Sequence, residues 1–441
     1  MRIEMLYKEF PFAVSLGVKG VRRAGQTAAA LGQTGVEWLA GGRPPAPVMA
    51  RKIFERLGAT YIKLGQLIAS SPSLFPEAYV REFQRCLDKT DPLPFHQMAG
   101  VLEKELGPGY LGEIFSEIDP IPLASASIAQ VYAARLVTGE QVVIKIQRPG
   151  VKEILIADLN FLFIAARVLE SLVRGAKHVA FSGILSEIRK TVLEECNFTA
   201  EARNLEEFTR FLESTGKTNV VTPRIYYRAT SKRVLTMERL HGIPLTDREE
   251  FLKSTDYPQA VLGAAFETWM ESITGCELFH ADLHAGNLLI MEGGRVGFID
   301  FGIVGRISRQ TQQGVRSLIA AMMMQDYPGM AEAMLAIGMT DKSVDTRQLA
   351  DDLAALYEAG EALETQIQIR PPGEPLADPE QFMLRMVKVA EAHGIRFPRE
   401  FTMLLKQFLY FDSYSDILLD GPDLEQDVIM RIQDWNDLDA L

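Results

Sequence analysis

The stretch LLIMEGGRVGFIDFG, residues 288–302, requires the chain to double back on itself. Two short apolar runs flank Glu292-Gly293-Gly294, a pattern that predicts a tight hairpin. A hairpin that begins at Asn287 and ends at Asp300 returns the chain toward its start. Asp282, Asn287 and Asp300 therefore converge, although eighteen residues separate the outer pair. Oxygen ligands of this kind suit Mg²⁺, which takes one or two carboxylates and completes its shell with water and phosphates.

The same region permits a rival reading. In FHADLHAGNLLI, residues 279–290, His280, Asp282 and His284 alternate, as transition-metal ligands on an extended segment can. A zinc site of that kind needs a second ligand cluster, which the sequence does not supply, so the histidines read as loop supports. Protein kinases combine an Asp that positions the acceptor, an Asn five residues on that binds metal, and a second metal-binding Asp in D-F-G. Asp282, Asn287 and Asp300 fit that pattern.

Such a site needs a lysine strand upstream. VVIKIQ places Lys145 at an inward position of an alternating apolar strand, within reach of the α- and β-phosphates. Alone it would read as an edge lysine snorkelling to solvent; beside the other three residues it reads as functional. Its carboxylate partner is one of Glu194, Glu195, Glu201, Glu206 and Glu207, among which spacing does not choose. Where a kinase carries G-x-G-x-x-G, this chain has Leu123 to Val131, with Ala124, Ser125, Ala126 and Ser127 at its centre. Alanine methyls limit positive φ and close backbone approach. The nucleotide is therefore expected to sit differently from its place in an ordinary kinase.

At these residues the sequence resembles the UbiB/AarF family of atypical protein-kinase-like proteins, linked to isoprenoid-quinone biosynthesis. Lys63-Leu64-Gly65-Gln66 is similar to the family's KxGQ motif, and Ala124 to Val131 to its alanine-rich loop. VIKIQRPGV resembles the lysine strand and its exit, and HADLHAGN with IDFG resembles the catalytic and metal loops. The resemblance runs from about residue 48 to 420. It implies that Glu201 partners Lys145, and that Glu195 opens an ExD motif and meets Lys63. It also implies that the face of Lys63 and Gln66 lies over the active site, where a kinase binds its protein substrate. Two departures stand out: Asn197 replaces the last Asp of ExD, and Leu283 and Ala285 replace two prolines of the common catalytic loop.

The expected fold is α+β: a bilobal protein-kinase-like fold with an N-terminal helical extension and a mostly helical C-lobe. Residues 1–47 form a mildly basic, apolar-rich segment suited to contact with anionic lipid, and 48–118 the KxGQ extension. Residues 119–242 form the small lobe and 243–441 the helical lobe. A formal charge of −12 argues against nucleic-acid binding, which needs a basic face. Three scattered cysteines, Cys86, Cys196 and Cys276, read as free thiols in a reducing compartment. The apolar run before Lys19, Arg22 and Arg23 is too short for a secretory signal, and no stretch is long enough to span a bilayer. The expectation is a cytoplasmic protein, peripheral at most on the inner face of the membrane.

The expected function is Mg²⁺-dependent ATP binding and hydrolysis, or phosphoryl transfer, in support of isoprenoid-quinone or other lipid metabolism. Lys145 with Glu201 would grip the phosphates, Asn287 and Asp300 hold the metal, and Asp282 orient water or an acceptor hydroxyl. Met237, Glu238 and Leu240 would meet adenine. Its partners would be the nucleotide and a lipid or quinone precursor. Two alternatives are a small-molecule kinase of the aminoglycoside or choline type, and a nucleotide-gated lipid-binding scaffold with little turnover.

Overall fold

The computed structural model describes residues 45–58, 60–62, 64–65, 77–83, 90–172, 189, 192–255, 257–340, 343–367, 379–398, 400–401, 403–405, 407–408 and 411. Its helices are α1 (Ala46–Leu57), α2 (Glu77–Phe83), α3 (Phe95–Leu106), α4 (Val151–Leu172), α5 (Phe198–Thr215) and α6 (Arg248–Ser254). They continue with α7 (Pro258–Gly275), α8 (Arg309–Met323), α9 (Tyr327–Ile337), α10 (Thr346–Ile367) and α11 (Pro379–Ala392), beside a single turn at Tyr110–Glu113. The strands are β1 (Phe115–Ser125), β2 (Ala129–Leu136), β3 (Gln141–Gln147), β4 (Val220–Val221), β5 (Val234–Glu238) and β6 (Gly242–Pro244). After them come β7 (Leu278–His280), β8 (Leu288–Met291), β9 (Val296–Phe298), β10 (Val304–Arg306), β11 (Met339–Thr340) and β12 (Ile395–Arg396). The chain divides into two compact units, residues 1–200 with 225–239 and residues 201–224 with 240–441. Among the described residues, no helix is long and apolar enough to cross a membrane.

The first unit is built on an antiparallel sheet of order β1-β2-β3-β5. Val142, Ile144 and Ile146 alternate along β3 and are fully buried, joining Tyr132, Val234 and Phe115 against Met98, Val101 and Leu102 of α3. Period-two alternation is what a half-buried strand requires, and it places Lys145 on the opposite face. A second core gathers Leu57, Tyr61 and Leu64 with Ile128, Leu155 and Leu159. There the Thr60 hydroxyl donates to Asp158 Oδ2 at 2.6 Å, both residues buried. That bond fixes the helical residues 60–62 to α4. Lys63 and Gln66 of the KLGQ motif lie outside the described residues.

Strand β1 escapes a reading by pattern. It holds Pro120 and Pro122, its pairing with β2 slips at three places, and it is exposed along most of its length. An edge strand tolerates proline and bulges because one side of its ladder is unpaired. It therefore shows no apolar alternation to recognise.

In the second unit β4-β9-β8-β6 form one sheet, and β7 pairs with β10. The hairpin expected from residues 288–302 is β8 and β9, in antiparallel register with Leu288 opposite Phe298. Gly305 of β10 lies opposite Phe279 of β7. A β-carbon there would run into the Phe279 ring, so the ring keeps its place because residue 305 has no side chain. Helix α7 carries the fully buried Trp269, whose ring packs against Phe279, Phe408 and Phe411.

Candidate active site

Within the second unit, the loop after β7 is held at nearly every backbone group. Trp269 Nε1–H donates to the His280 carbonyl at 2.9 Å, and the Ala281 N–H to the Ile303 carbonyl at 3.2 Å. Asn287 Nδ2 donates to the Asp282 carbonyl at 2.8 Å. A carbonyl can only accept, so this bond fixes the Asn287 amide and leaves Oδ1 as the atom able to meet a cation. The Asn287 carbonyl in turn accepts the Ile299 N–H at 3.0 Å, closing the base of the β8–β9 hairpin one residue before Asp300. The structure thus brings Asp282, Asn287 and Asp300 onto one hydrogen-bonded framework.

Asp300 has φ 62°, in the left-handed region where Asp is among the few side chains tolerated. Its Oδ1 accepts the Gly302 N–H at 3.3 Å, which stabilises the turn. Phe301 is fully buried, its ring 4.7 Å from His280 and 5.1 Å from Phe208 of α5. Asn204, also on α5, donates from Nδ2 to the Phe301 carbonyl at 3.1 Å and accepts from Arg306 at 3.3 Å. Arg306 forms a two-pronged pair with Glu207 at 3.0 and 2.8 Å. Helix α5 therefore holds the chain after Asp300 at Phe301 and again at Arg306. Glu201 lies at the same place: a β-carbon on Gly302 would meet Asp300 Oδ1 at 3.1 Å and Glu201 Oε2 at 3.8 Å.

The histidines support the loop. His280 is fully buried; its Nδ1 accepts the Asp282 N–H at 3.1 Å and its Nε2 contacts the Ile299 carbonyl at 3.1 Å. A backbone N–H only donates and a carbonyl only accepts, so the ring is the neutral Nε2–H tautomer with neither nitrogen left for a metal. His284 Nδ1 accepts the Gly286 N–H at 3.1 Å and caps the turn at Ala285–Asn287. Among the described residues, no group of three His, Cys, Asp or Glu side chains is arranged to hold a metal ion.

Burial pushes the His280 imidazole below its usual range, only partly offset by the Ile299 carbonyl and by the Asp282 and Asp300 carboxylates. The unfolded chain takes up a proton near pH 6.5 while the folded ring stays neutral. The stability contributed by the neutral ring is therefore complete above that pH and lost as pH falls toward the lowered folded value. Urea unfolding between pH 7.5 and 5.5 should show a decline of at most about 1.4 kcal/mol per pH unit from this group. His280→Phe should lose that part of the slope. It should also be less stable at pH 7.5 by roughly 1–3 kcal/mol for each orphaned backbone group.

Apart from Leu240, the remaining candidates belong to the first unit. Lys145 pairs with Val131 of β2 and Leu235 of β5, and its Nζ lies 5.3 Å from the centroid of the Phe198 ring. Phe198 opens α5, three residues before Glu201. Gln147 Nε2 donates to the Cys196 carbonyl at 3.1 Å, binding β3 to the turn before that helix. Asn197 directly precedes α5: its carbonyl accepts the Ala200 N–H at 2.9 Å, and its Oδ1 accepts the Thr199 hydroxyl at 2.7 Å. Glu195 is half-buried just before it. Met237 is buried in β5 opposite Val143, Glu238 is exposed, and Leu240, in the second unit, packs near Gly297.

Ala124 and Ser125 end β1, and Ala126 and Ser127 lead into β2. This loop is clamped by Arg148, whose guanidinium donates to the Ala126 carbonyl at 2.8 Å, the Ser125 hydroxyl at 2.7 Å, the Asp91 carbonyl at 2.9 Å and the Thr90 hydroxyl. The Thr90 hydroxyl in turn donates to the Ala126 carbonyl at 2.9 Å. The sequence reading missed Arg148, Thr90 and Asn204. It also missed Gln407, whose amide reaches the loop around Asp282 from 124 residues away. Only for Arg148 was there a signal, its place directly after the lysine strand.

A family model described as the ABC1 atypical kinase-like domain matches residues 85–334. The chain is 41% identical to an uncharacterized aarF domain-containing protein kinase, chloroplastic, of Arabidopsis thaliana, over 94% of this chain and 83% of that protein. It is 27% identical to a probable protein kinase UbiB of Marinobacter nauticus, over 87% of this chain and 69% of the other. Among solved structures, the complex of Rv3197 with erythromycin from Mycobacterium tuberculosis covers 91% of this chain and 98% of its own, with a TM-score of 0.50 at 21% identity. That likeness shows the fold alone, and the fold is the kinase-like α+β architecture that the lysine strand and the Asp282–Asp300 hairpin imply. With the family model spanning more than half the chain, the protein belongs to the ABC1 atypical kinase-like family, together with the aarF-domain and UbiB proteins.

Proposed function

We propose that this protein binds ATP with Mg²⁺ and hydrolyses it, or transfers its terminal phosphoryl group to a small or lipid acceptor, in support of isoprenoid-quinone or other lipid metabolism. The observation that carries the reading is the orientation of Asn287: its Nδ2 is spent on the Asp282 carbonyl, so Oδ1 and the Asp300 carboxylate form a hard oxygen donor set. That set fits Mg²⁺, which would neutralise charge developing on the phosphates. Asp282 orients the attacking water or hydroxyl and accepts its proton. Lys145, paired with Glu201, grips the α- and β-phosphates. The loop Ala124 to Ser127 covers them, and Met237, Glu238 and Leu240 flank the adenine. By resemblance to the family, Glu195 would be the partner of Lys63 in the motif that also holds Gln66.

The segment after Asp300 favours a small acceptor over a protein. β10 begins at Val304 and α8 at Arg309, so no long activation loop intervenes to seat a peptide. The resemblance to a family linked to isoprenoid-quinone biosynthesis points to a quinone precursor or lipid, reached through peripheral contact of residues 1–47 with anionic membrane. Asn197 favours a second reading, a nucleotide-gated scaffold, because its side chain is committed to Thr199 and carries no charge for a metal.

The test measures nucleotide affinity and phosphate release by the full chain, with and without Mg²⁺, phosphatidylglycerol vesicles and a phenolic quinone-precursor mimic. The expected result is Mg²⁺-dependent binding with turnover that rises on vesicles. No binding under any condition overturns the proposal. Binding without turnover selects the scaffold.

A further inference from the structure

Gln407 lies beyond residue 334, where the family match ends, among the helical residues 400, 401, 403–405, 407, 408 and 411. It is fully buried. Its Oε1 accepts the Leu283 N–H at 2.7 Å and its Nε2 donates to the Ala281 carbonyl at 2.8 Å. These are the two residues on either side of Asp282. A primary amide presents one acceptor and one donor in a single plane, the same edge that a peptide unit offers a strand. Here that edge straddles one residue, and backbone chemistry forces which end of the amide faces which partner.

The helical stretch is itself anchored. Phe401 and Leu404 are buried, and Phe408 and Phe411 lie 5.3 and 5.6 Å from the Trp269 ring. Trp269 in turn holds the His280 carbonyl. Adding the His280 and Asn287 side chains, every backbone N–H and C=O from the His280 carbonyl to the Leu283 N–H has a partner. Gln407 supplies two of those six.

We propose that Gln407 is a positioning residue that sets the backbone on both sides of Asp282 and so aims its carboxylate. The proposal rests on the reading of Asp282 as the group that orients the acceptor. It makes the stretch beyond residue 400 a working part of the site. With both bonds in place the loop is held before substrate arrives, so no ordering is needed at the moment of reaction.

Two variants of the full chain test it, each read by amide hydrogen exchange over 279–288 and by Mg²⁺–ATP turnover and affinity. Gln407→Met fills the same space with neither bond; Gln407→Glu keeps an acceptor for Leu283 and sets an oxygen against the Ala281 carbonyl. In Gln407→Met, exchange over 281–284 should quicken at least ~10-fold while α8 is unchanged, and kcat should fall about 10–100-fold with affinity within about twofold. In Gln407→Glu, the Leu283 amide keeps its acceptor and should exchange more slowly than in Gln407→Met. Wild-type exchange and turnover in Gln407→Met overturn the proposal, as does loss of protection throughout the second unit in both variants, which would make Gln407 a core residue. If the wild type neither binds nor turns over nucleotide, the functional reading fails by itself, and the exchange data still decide whether Gln407 holds the loop.

Discussion

Asp282→Asn is expected to lower ATP turnover by roughly 10²–10⁴-fold, the usual scale for a positioned general base, while Mg²⁺–nucleotide affinity stays close to wild type. Asparagine keeps the shape of the side chain but cannot accept a proton. The loop should hold its form, because Asp282 enters the framework through its backbone, with its N–H on His280 and its carbonyl on Asn287. Asp300→Asn should behave differently. It removes the charged half of the donor set, so the Mg²⁺ dependence of binding should weaken together with turnover. Equilibrium binding and phosphate-release assays on both variants, with and without Mg²⁺, separate the two roles. If Asp300→Asn leaves activity and Mg²⁺ dependence unchanged, the assignment of the metal site is wrong. If Asp282→Asn retains full turnover, that residue is not the base.

Trp269→Ala should unfold much of the second unit. The side chain is fully buried among Phe266, Phe279, Phe408 and Phe411 and holds the His280 carbonyl. Truncating a buried aromatic costs about 3–5 kcal/mol, and orphaning the carbonyl adds roughly 1–3 kcal/mol. A typical domain has only about 5–15 kcal/mol in hand. Trp269→Phe keeps most of the ring packing and loses the N–H, so its loss should be smaller, a few kcal/mol at most. Urea unfolding of the two variants checks both the size and the order of the effects. The aromatic cluster is also what joins the stretch beyond residue 400 to the loop around Asp282, so Trp269→Phe should quicken exchange there before it lowers global stability.

Parts of this were legible in the residues alone. The β8–β9 hairpin follows from two apolar runs about a glycine turn, and strand β3 from its alternation, because both patterns are set by neighbours along the chain. Spacing identified Asp282, Asn287 and Asp300 as a group, and the hairpin is what closes the distance among them. His280 could be read as a ligand or a prop from its spacing; two hydrogen bonds of 3.1 Å to backbone groups make it a prop. Asn197, a departure from the family motif by sequence, sits at the start of α5 with its Oδ1 on the Thr199 hydroxyl.

Local order in the chain therefore determined which groups are on offer: two carboxylates and an amide oxygen, with a lysine strand upstream. It did not determine what holds them. Arg148 reaches Thr90 across 58 positions, Asn204 reaches Phe301 across 97, and Gln407 reaches Leu283 across 124. None of these three belongs to a spacing pattern, since a buried amide or guanidinium looks in sequence like any surface polar residue. Their meaning comes from burial, which removes water as a competing partner and obliges each polar group to find one in the fold.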